Sequence, residues 1–245
     1  MRDSVRHVAA LLDDKPRVCV VTGAGVSAAS GVPTFRGDGG LWRNFRAEDL
    51  ATPAAFRRSP ELVWEWYDWR RTIIAACHPN AAHEVLAKWS ARPGFSLVTQ
   101  NVDGLHERAG TRRVTRFHGT IWQLRCATGC THATWEDRTT PLSELPPRCP
   151  GCGGLARPNV VWFGEGIDAD VIRAADAAAD CDVFLSIGTS AVVYPAAGLL
   201  HAAKRRGATT VEINPAATDA SGIVDIAIAA PAEIALPEID SLRRV

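Results

Sequence analysis

The chain has 245 residues, 47% of them hydrophobic, enough to bury a sizeable core in one globular domain or in one domain carrying a small insertion. Its 27 basic and 27 acidic side chains cancel, which removes any bulk electrostatic reason to expect nucleic acid or an anionic membrane as a partner. It opens Met-Arg-Asp and runs straight into an amphipathic helix over 4–12, with neither the apolar core and cleavage site of a signal peptide nor a span of apolar residues, so a cytoplasmic protein is expected. In that setting seven cysteines argue for thiols and metal over disulfides, and Cys19, Cys77 and Cys181 have the apolar or small neighbours of inert core thiols.

Short β-rich runs alternate with longer helical ones, which predicts an α/β fold: a Rossmann-like parallel sheet covered by helices. Strands are expected at 17–21, 95–99, 114–118, 183–187, 209–213 and 224–228, most of them near-continuous apolar runs as in strands buried on both faces. The segment 33–90 offers loops and helices but no strand, and 121–158 carries four cysteines and a Pro-rich, acidic stretch. These interruptions are expected to fold together as a smaller zinc-ribbon and helical lobe (34–90 and 121–158) on a larger lobe (1–33, 91–120 and 159–245).

The first strand delivers the chain into Thr22-Gly23-Ala24-Gly25-Val26-Ser27-Ala28, a G-x-G-x-x-A turn whose backbone amides can approach a pyrophosphate; a purely structural strand-to-helix turn is the alternative. The following helix is stopped almost at once by Gly31-Val32-Pro33, which disfavours a hydride-transfer dehydrogenase. A glycine-loosened loop over 34–40 can then lay Phe35 and Arg36 against a cofactor. Thr99-Gln100-Asn101-Val102-Asp103 gathers amides and a carboxylate at the carboxyl edge of the sheet, where ligands bind in open α/β folds, although a turn and helix N-cap would use the same residues. His118 ends the third expected strand on that edge, where a group titrating near neutrality can act as a general base. Gly188-Thr189-Ser190 and Asn214 follow later strands, with hydroxyls and an amide suited to phosphate or ribose.

Cys126 with Cys130, and Cys149 with Cys152, pair at knuckle spacing for one tetrahedral Zn²⁺, the first pair looser by one residue, so that His132 competes with Cys130 as ligand. Disulfides or unrelated thiols are the alternative. On a helix over 60–76, Tyr67 and Arg70 share one face, and a phenol with a guanidinium binds a carboxylate well; an aromatic helix with solvated arginines is the bland reading.

As a set these motifs resemble the sirtuins, NAD-dependent protein-lysine deacylases, over nearly the whole chain. The run from Gly23 to Gly37, Thr99 to His106, His118-Gly-Thr, the four cysteines, Val160 to Glu165 and Gly188-Thr-Ser occur in the family's order. The resemblance implies that Gly23, Ala24, Gly25, Ser27, Phe35, Arg36, Gln100, Asn101, Asp103, Gly188, Thr189, Ser190 and Asn214 line an NAD site, with Ala232 near the adenine. It implies that Val161, Trp162 and Phe163 form the strand to which an acyl-lysine peptide adds as an extra β-strand, and that the zinc is structural. It further implies a reaction in which the acyl oxygen attacks the ribose carbon of NAD and nicotinamide leaves. His118 then takes a proton from a ribose hydroxyl, and free lysine and O-acyl-ADP-ribose result. Asp103 would hold the nicotinamide amide and Asn101 would order the ribose and nearby water.

Tyr67-x-x-Arg70, with the small Ala51 in Asp49-Leu50-Ala51-Thr52-Pro53, resembles the desuccinylase and demalonylase subgroup and implies removal of succinyl and malonyl groups in preference to, or alongside, acetyl. An NAD-dependent ADP-ribosyltransferase, or a zinc-ribbon binding module without deacylase activity, are the competing readings.

Overall fold

The computed structural model describes residues 2–14, 16–33, 41–190 and 193–243. Apolar residues at helical spacing make α1 (Arg2–Asp13) bury Val5, Val8, Ala9 and Leu12 along one stripe. β1 (Val18–Thr22), buried at every residue, leads into the single turn α2 (Gly25–Ala28). The segment expected to lack strands holds a hairpin of two-residue strands, β2 (Leu41–Trp42) and β3 (Phe45–Arg46), too short for alternation to reveal. Then come α3 (Ala47–Leu50), α4 (Pro53–Arg58), α5 (Pro60–Ala76) and α6 (Ala81–Trp89). Thr52 caps α4, its Oγ1 accepting Ala55 N–H at 3.0 Å ahead of Pro53 at the first turn, so the Ala-Thr-Pro stretch has a local structural cause as well.

β4 (Phe95–Thr99), α7 (Leu105–Arg108) and β5 (Val114–Arg116) return to the main sheet. β6 (Gly119–Cys126), β7 (Trp135–Glu136) and β8 (Ala156–Val160) form a separate antiparallel sheet in the order β7-β6-β8. The chain ends with α8 (Ala169–Ala178), β9 (Val183–Ile187), α9 (Ala196–Arg205), β10 (Thr209–Ile213), β11 (Ile226–Ile228) and α10 (Ala232–Leu242). The main sheet is parallel throughout, in the order β11-β10-β9-β1-β4-β5.

Two strand ends differ from expectation. β5 stops at Arg116 because Phe117 N–H is the last to reach Thr99 O (2.8 Å), which leaves His118 in a turn. β8 stops at Val160, short of the expected peptide-binding strand at Val161 to Phe163: Val161 N–H keeps the register with His118 O (3.0 Å), but Trp162 N–H turns to Glu165 Oε2 (2.9 Å) and Phe163 N–H to Ala51 O (2.9 Å).

Alternation along β1 splits the core. Val18 and Val20 pack with Val8, Leu86 and Leu236 beneath α1, α6 and α10, while Cys19 and Val21 face Phe184, Ala175 and Leu200 beneath α8 and α9. A third apolar cluster joins α4 and α5 (Phe56, Val63, Trp64, Trp66, Tyr67) to the small sheet (Ile121, Trp122, Leu124, Val160). Cys19, Cys77 and Cys181 are buried free thiols. Among the described residues no helix is long and apolar enough to cross a membrane.

Candidate active site

Register brings the ligand-binding turns together. Thr22 of β1 is level with Thr99 of β4 and Ile187 of β9, which is level with Ile213 of β10. The turns beginning at Gly23, Gln100, Gly188 and Asn214 therefore leave one carboxyl edge side by side. Strand order reverses between β1 and β9, and the crevice outside such a switch point is where open α/β sheets hold ligands.

Two of these turns interlock. Gly23 N–H donates to Ile187 O at 3.1 Å and Gly25 N–H to Gly188 O at 2.8 Å. A Cβ on Gly25 would lie 2.8 Å from Gly188 Cα, and one on Gly188, whose φ is +60°, 2.5 Å from Val26 N. Glycine is required here by the seating of turn on turn, a reason added to the tight turn and the ligand approach that the sequence suggested. Val26 N–H bonds Gly23 O and Ser27 N–H bonds Ala24 O, so Ala24 N–H is the amide of the turn left without a partner among the described residues. With α2 a single turn, its dipole adds little to anion binding.

Side chains tie the remaining turns to this pair. Gln100 Nε2–H donates to Thr189 Oγ1 at 3.1 Å and Asn214 Nδ2–H to Thr189 O at 3.0 Å. Asn101 donates through Nδ2 to Gly23 O (3.0 Å) and Ser27 Oγ (3.2 Å), and Ser27 Oγ–H donates to Asp103 Oδ2 (2.8 Å). Asp103 Oδ1 accepts Leu105 N–H at 2.8 Å, so the carboxylate also braces the start of α7. Burial raises the Asp103 carboxyl above the usual carboxylate range, while Leu105 N–H and Ser27 O–H hold it down. Ala232 opens α10, buried, just past β11 on the same edge. Phe35 and Arg36 lie outside the described residues.

His118 Nδ1 lies 3.1 Å from Gln100 O. A carbonyl only accepts, so Nδ1 carries the hydrogen and Nε2 holds the open lone pair of a base. Burial lowers the pKa of this imidazole, against the Gln100 carbonyl, which raises it; the ring is neutral at pH 7.

A second group of buried side chains lies within electrostatic reach of the Asp103 turn. Tyr67 and Arg70 leave α5 on one face, 3% and 6% exposed, and the Arg70 guanidinium lies 5.5 Å over the Trp66 ring. The bland reading of solvated arginines is therefore excluded for Arg70. Burial lowers the Arg70 pKa while Tyr67 and Asp103 raise it, which places the cation within the electrostatic reach of the Asp103 carboxylate. Ala51 is buried and Trp162 packs beside it, with Phe56 at 5.2 Å ring to ring. The Ala51 carbonyl that receives Phe163 N–H joins this group to the segment after β8, where Phe163 is 48% exposed.

Away from the crevice, the sulfurs of Cys126, Cys130, Cys149 and Cys152 all lie within 4.8 Å of one another. Cys126 and Cys152 are 3.7 Å apart and Cys130 and Cys149 3.6 Å. Tetrahedral thiolates at the usual Zn–S distance stand about 3.8 Å apart. The set fits a closed structural zinc and does not fit disulfides, and Cys130, not His132, belongs to it. Nothing in a four-thiolate shell leaves a position for catalytic water.

The profile of the Sir2 family matches residues 23–195. The chain belongs to the Sir2 family. A relative from Aquifex aeolicus (strain VF5) named "NAD-dependent protein deacylase" is 50% identical over 229 residues, 92% of this chain and 95% of the relative. A crystal structure of a Sir2 homologue in complex with NAD is 40% identical, with a TM-score of 0.89 over 99% of this chain and 93% of that one. A Sir2 structure with a p53 peptide and NAD⁺ is 28% identical, with a TM-score of 0.84 over 96% of each chain.

Several site residues of this Sir2 chain carried no signal in its sequence. His83 Nε2 lies 3.4 Å from Ser27 Oγ, and His106 Nε2 2.9 Å from Thr22 Oγ1, with the two rings 4.9 Å apart under the first turn. Burial, then the charge of His106, pushes His83 down to about 3, and burial pushes His106 down to about 4. Trp122 Nε1–H donates to Asp103 O at 2.6 Å from the small sheet. Each of these contacts joins residues far apart in sequence, and only His106 lies within a motif.

Proposed function

We propose that this chain is an NAD-dependent protein-lysine deacylase that removes succinyl and malonyl groups, and acetyl groups alongside them. The family and the relative named as a deacylase support the reaction. The observation that carries the acyl preference is Arg70, a buried guanidinium on the same helix face as a buried phenol, within electrostatic reach of Asp103.

The residues at the sheet edge fit a dinucleotide. Ala24 N–H, the Gly188–Ser190 turn, Gln100, Ser27 and Asn214 hold it, and Ala232 sits at the adenine end; Phe35 and Arg36 are assigned to it from the sequence motif. Bound NAD supplies a ribose carbon that accepts the acyl oxygen as nicotinamide departs. Asp103, buried in place, holds the nicotinamide amide, and Asn101 orders the ribose and nearby water. His118 Nε2 takes the proton of a ribose hydroxyl, with its ring fixed by Gln100 O.

The peptide adds along Val161, Trp162 and Phe163. Their own N–H groups are already bonded, so its amides donate to the Val161 and Phe163 carbonyls, which have no donor among the described residues. The crevice lies between a larger lobe (1–33, 91–120 and 159–245) and a smaller one (34–90 and 121–158), and the zinc at Cys126, Cys130, Cys149 and Cys152 holds the smaller one together.

The test is Arg70→Met assayed on one peptide carrying acetyl, malonyl or succinyl lysine. Removing one partner of a buried carboxylate–guanidinium pair costs about 3 kcal/mol, roughly 100-fold in kcat/KM. We expect that loss on the succinyl and malonyl peptides and a loss under about 5-fold on the acetyl peptide, since no carboxylate is then involved. An equal drop on all three discards the carboxylate clamp. A target that gains the mass of ADP-ribose without losing its acyl group discards deacylation.

A further inference from the structure

Trp162 Nε1–H donates to Tyr67 Oη at 2.8 Å, between side chains 2% and 3% exposed. An indole nitrogen only donates, so the phenolic oxygen is the acceptor. The phenolic hydrogen must then point to the other side of that oxygen, and among the described residues it meets no acceptor there. A buried hydroxyl held with its hydrogen aimed at nothing is unfavourable unless a ligand supplies the oxygen. Burial also pushes the Tyr67 pKa far above the ordinary phenol value, so the hydrogen stays in place at every working pH.

Trp162 is itself fixed from three directions. Its backbone N–H donates to Glu165 Oε2 at 2.9 Å. The Arg157 guanidinium bonds both Glu165 oxygens, at 2.6 and 2.9 Å, and lies 3.2 Å over the centre of the indole ring. Phe56 packs against the ring at 5.2 Å. Arg157 is only 7% exposed, so this is a buried brace and not a surface ion pair. The brace leaves the indole one orientation, and that orientation determines the direction of the Tyr67 hydroxyl.

We infer that Trp162 is a positioning residue for acyl selectivity: through the hydrogen bond to Tyr67 it aims the phenolic hydrogen at the terminal carboxylate of a dicarboxylic acyl group. The inference rests on the carboxylate-clamp reading of Tyr67 and Arg70. A phenylalanine at 162 would keep an aromatic ring on Arg157 and Phe56 but would leave the hydroxyl free to turn.

The experiment measures kcat and KM on succinyl and acetyl versions of one peptide for wild type, Trp162→Phe, Tyr67→Phe, the double variant and Arg70→Met. The loss of one aimed hydrogen bond predicts that Trp162→Phe raises KM for the succinyl peptide roughly 10-fold and lowers the succinyl-to-acetyl ratio of kcat/KM at least about 5-fold. In the Tyr67→Phe background the same change should move that ratio less than about 2-fold, because Trp162 acts through the hydroxyl. An unchanged ratio in Trp162→Phe, or an equal change with and without the hydroxyl, overturns the inference.

Arg70→Met separates the two levels. If it leaves the ratio unmoved the clamp itself fails; if it moves the ratio and Trp162→Phe does not, only the role of Trp162 fails. Should Trp162→Phe not fold, the assigned indole ¹⁵N–¹H signal of Trp162 in the wild-type protein decides. It should shift more with the succinyl than the acetyl peptide, and this difference should vanish in Tyr67→Phe; equal shifts overturn the inference.

Discussion

The buried imidazole pair under the first turn makes stability depend on pH in a window where other groups contribute little difference. His83 sits at about 3 and His106 at about 4, both below the ordinary histidine value of 6.5. The folded protein keeps both rings neutral while the unfolded chain takes up protons. Their contribution is therefore complete above pH 6.5 and is lost as pH falls, levelling off only below the folded values. At pH 5 each ring is about 1.5 units under the unfolded value, so each costs about 2 kcal/mol and the pair about 4 kcal/mol. That is a large share of the roughly 5–15 kcal/mol that stabilises a typical domain.

The comparison uses His106→Gln, whose amide can still donate to Thr22 Oγ1 but does not titrate. Urea unfolding followed by tryptophan fluorescence at pH 7.5 and 5.0 should show the wild type losing about 2 kcal/mol more than the variant. Asp225, at about 2, and Asp182, also lowered, act below this window. His118, Asp103 and the cysteine cluster are common to both proteins and cancel. Parallel losses within about 0.5 kcal/mol would falsify the buried-neutral assignment of His106.

Three further outcomes follow from the crevice and the cysteine cluster. His118→Tyr should lower kcat by about 10²–10⁴-fold with zinc content and circular dichroism unchanged, and near wild-type turnover would remove His118 as the base. Because burial lowers the His118 pKa and the base works deprotonated, wild-type kcat/KM should hold level at pH 7 and fall only below about 6.5; a break above pH 7 contradicts this placement. Cys130→Ser should lose zinc, measured by atomic absorption, whereas His132→Ala should keep it, and the reverse result would reassign the fourth ligand.

The main sheet was legible because its strands are buried on both faces. The runs at 95–99, 183–187 and 209–213 coincide with β4, β9 and β10, and the helix at 60–76 with α5, where Ser59-Pro60 starts the run cleanly. Boundaries failed where tertiary hydrogen bonds decide them. No local pattern announces that Phe163 N–H will turn to Ala51 O, or that β11 begins only at Ile226. The turns of the site could be read because each is short, polar and attached to a strand end. His83, Trp122 and the Arg157–Glu165 brace could not, since their meaning comes from partners many tens of residues away. The glycines were found for an incomplete reason: Gly25 and Gly188 make room first for each other.

One helix links the metal to the chemistry. Neighbouring residues on a helix project about 100° apart, so Arg70 and Arg71 of α5 face different partners. Arg70 turns to Trp66 and the crevice, and Arg71, fully buried, donates through Nη2 to Asp137 O (2.7 Å), Asp137 Oδ1 (2.6 Å) and Thr139 O (2.9 Å) just beyond β7. Among the described residues its Nε and Nη1 have no hydrogen-bond partner, and the guanidinium lies 5.4 Å over the Trp122 ring. That ring belongs to β6, the strand that delivers Cys126, and its N–H holds the Asp103 carbonyl. Breaking a buried charge pair such as Arg71–Asp137 is costly because the cation left behind stays in a low-dielectric core. The small sheet, α5 and the Asp103 turn are therefore joined by buried contacts, and the four-cysteine cluster, which fits a structural zinc, lies at the end of the same sheet.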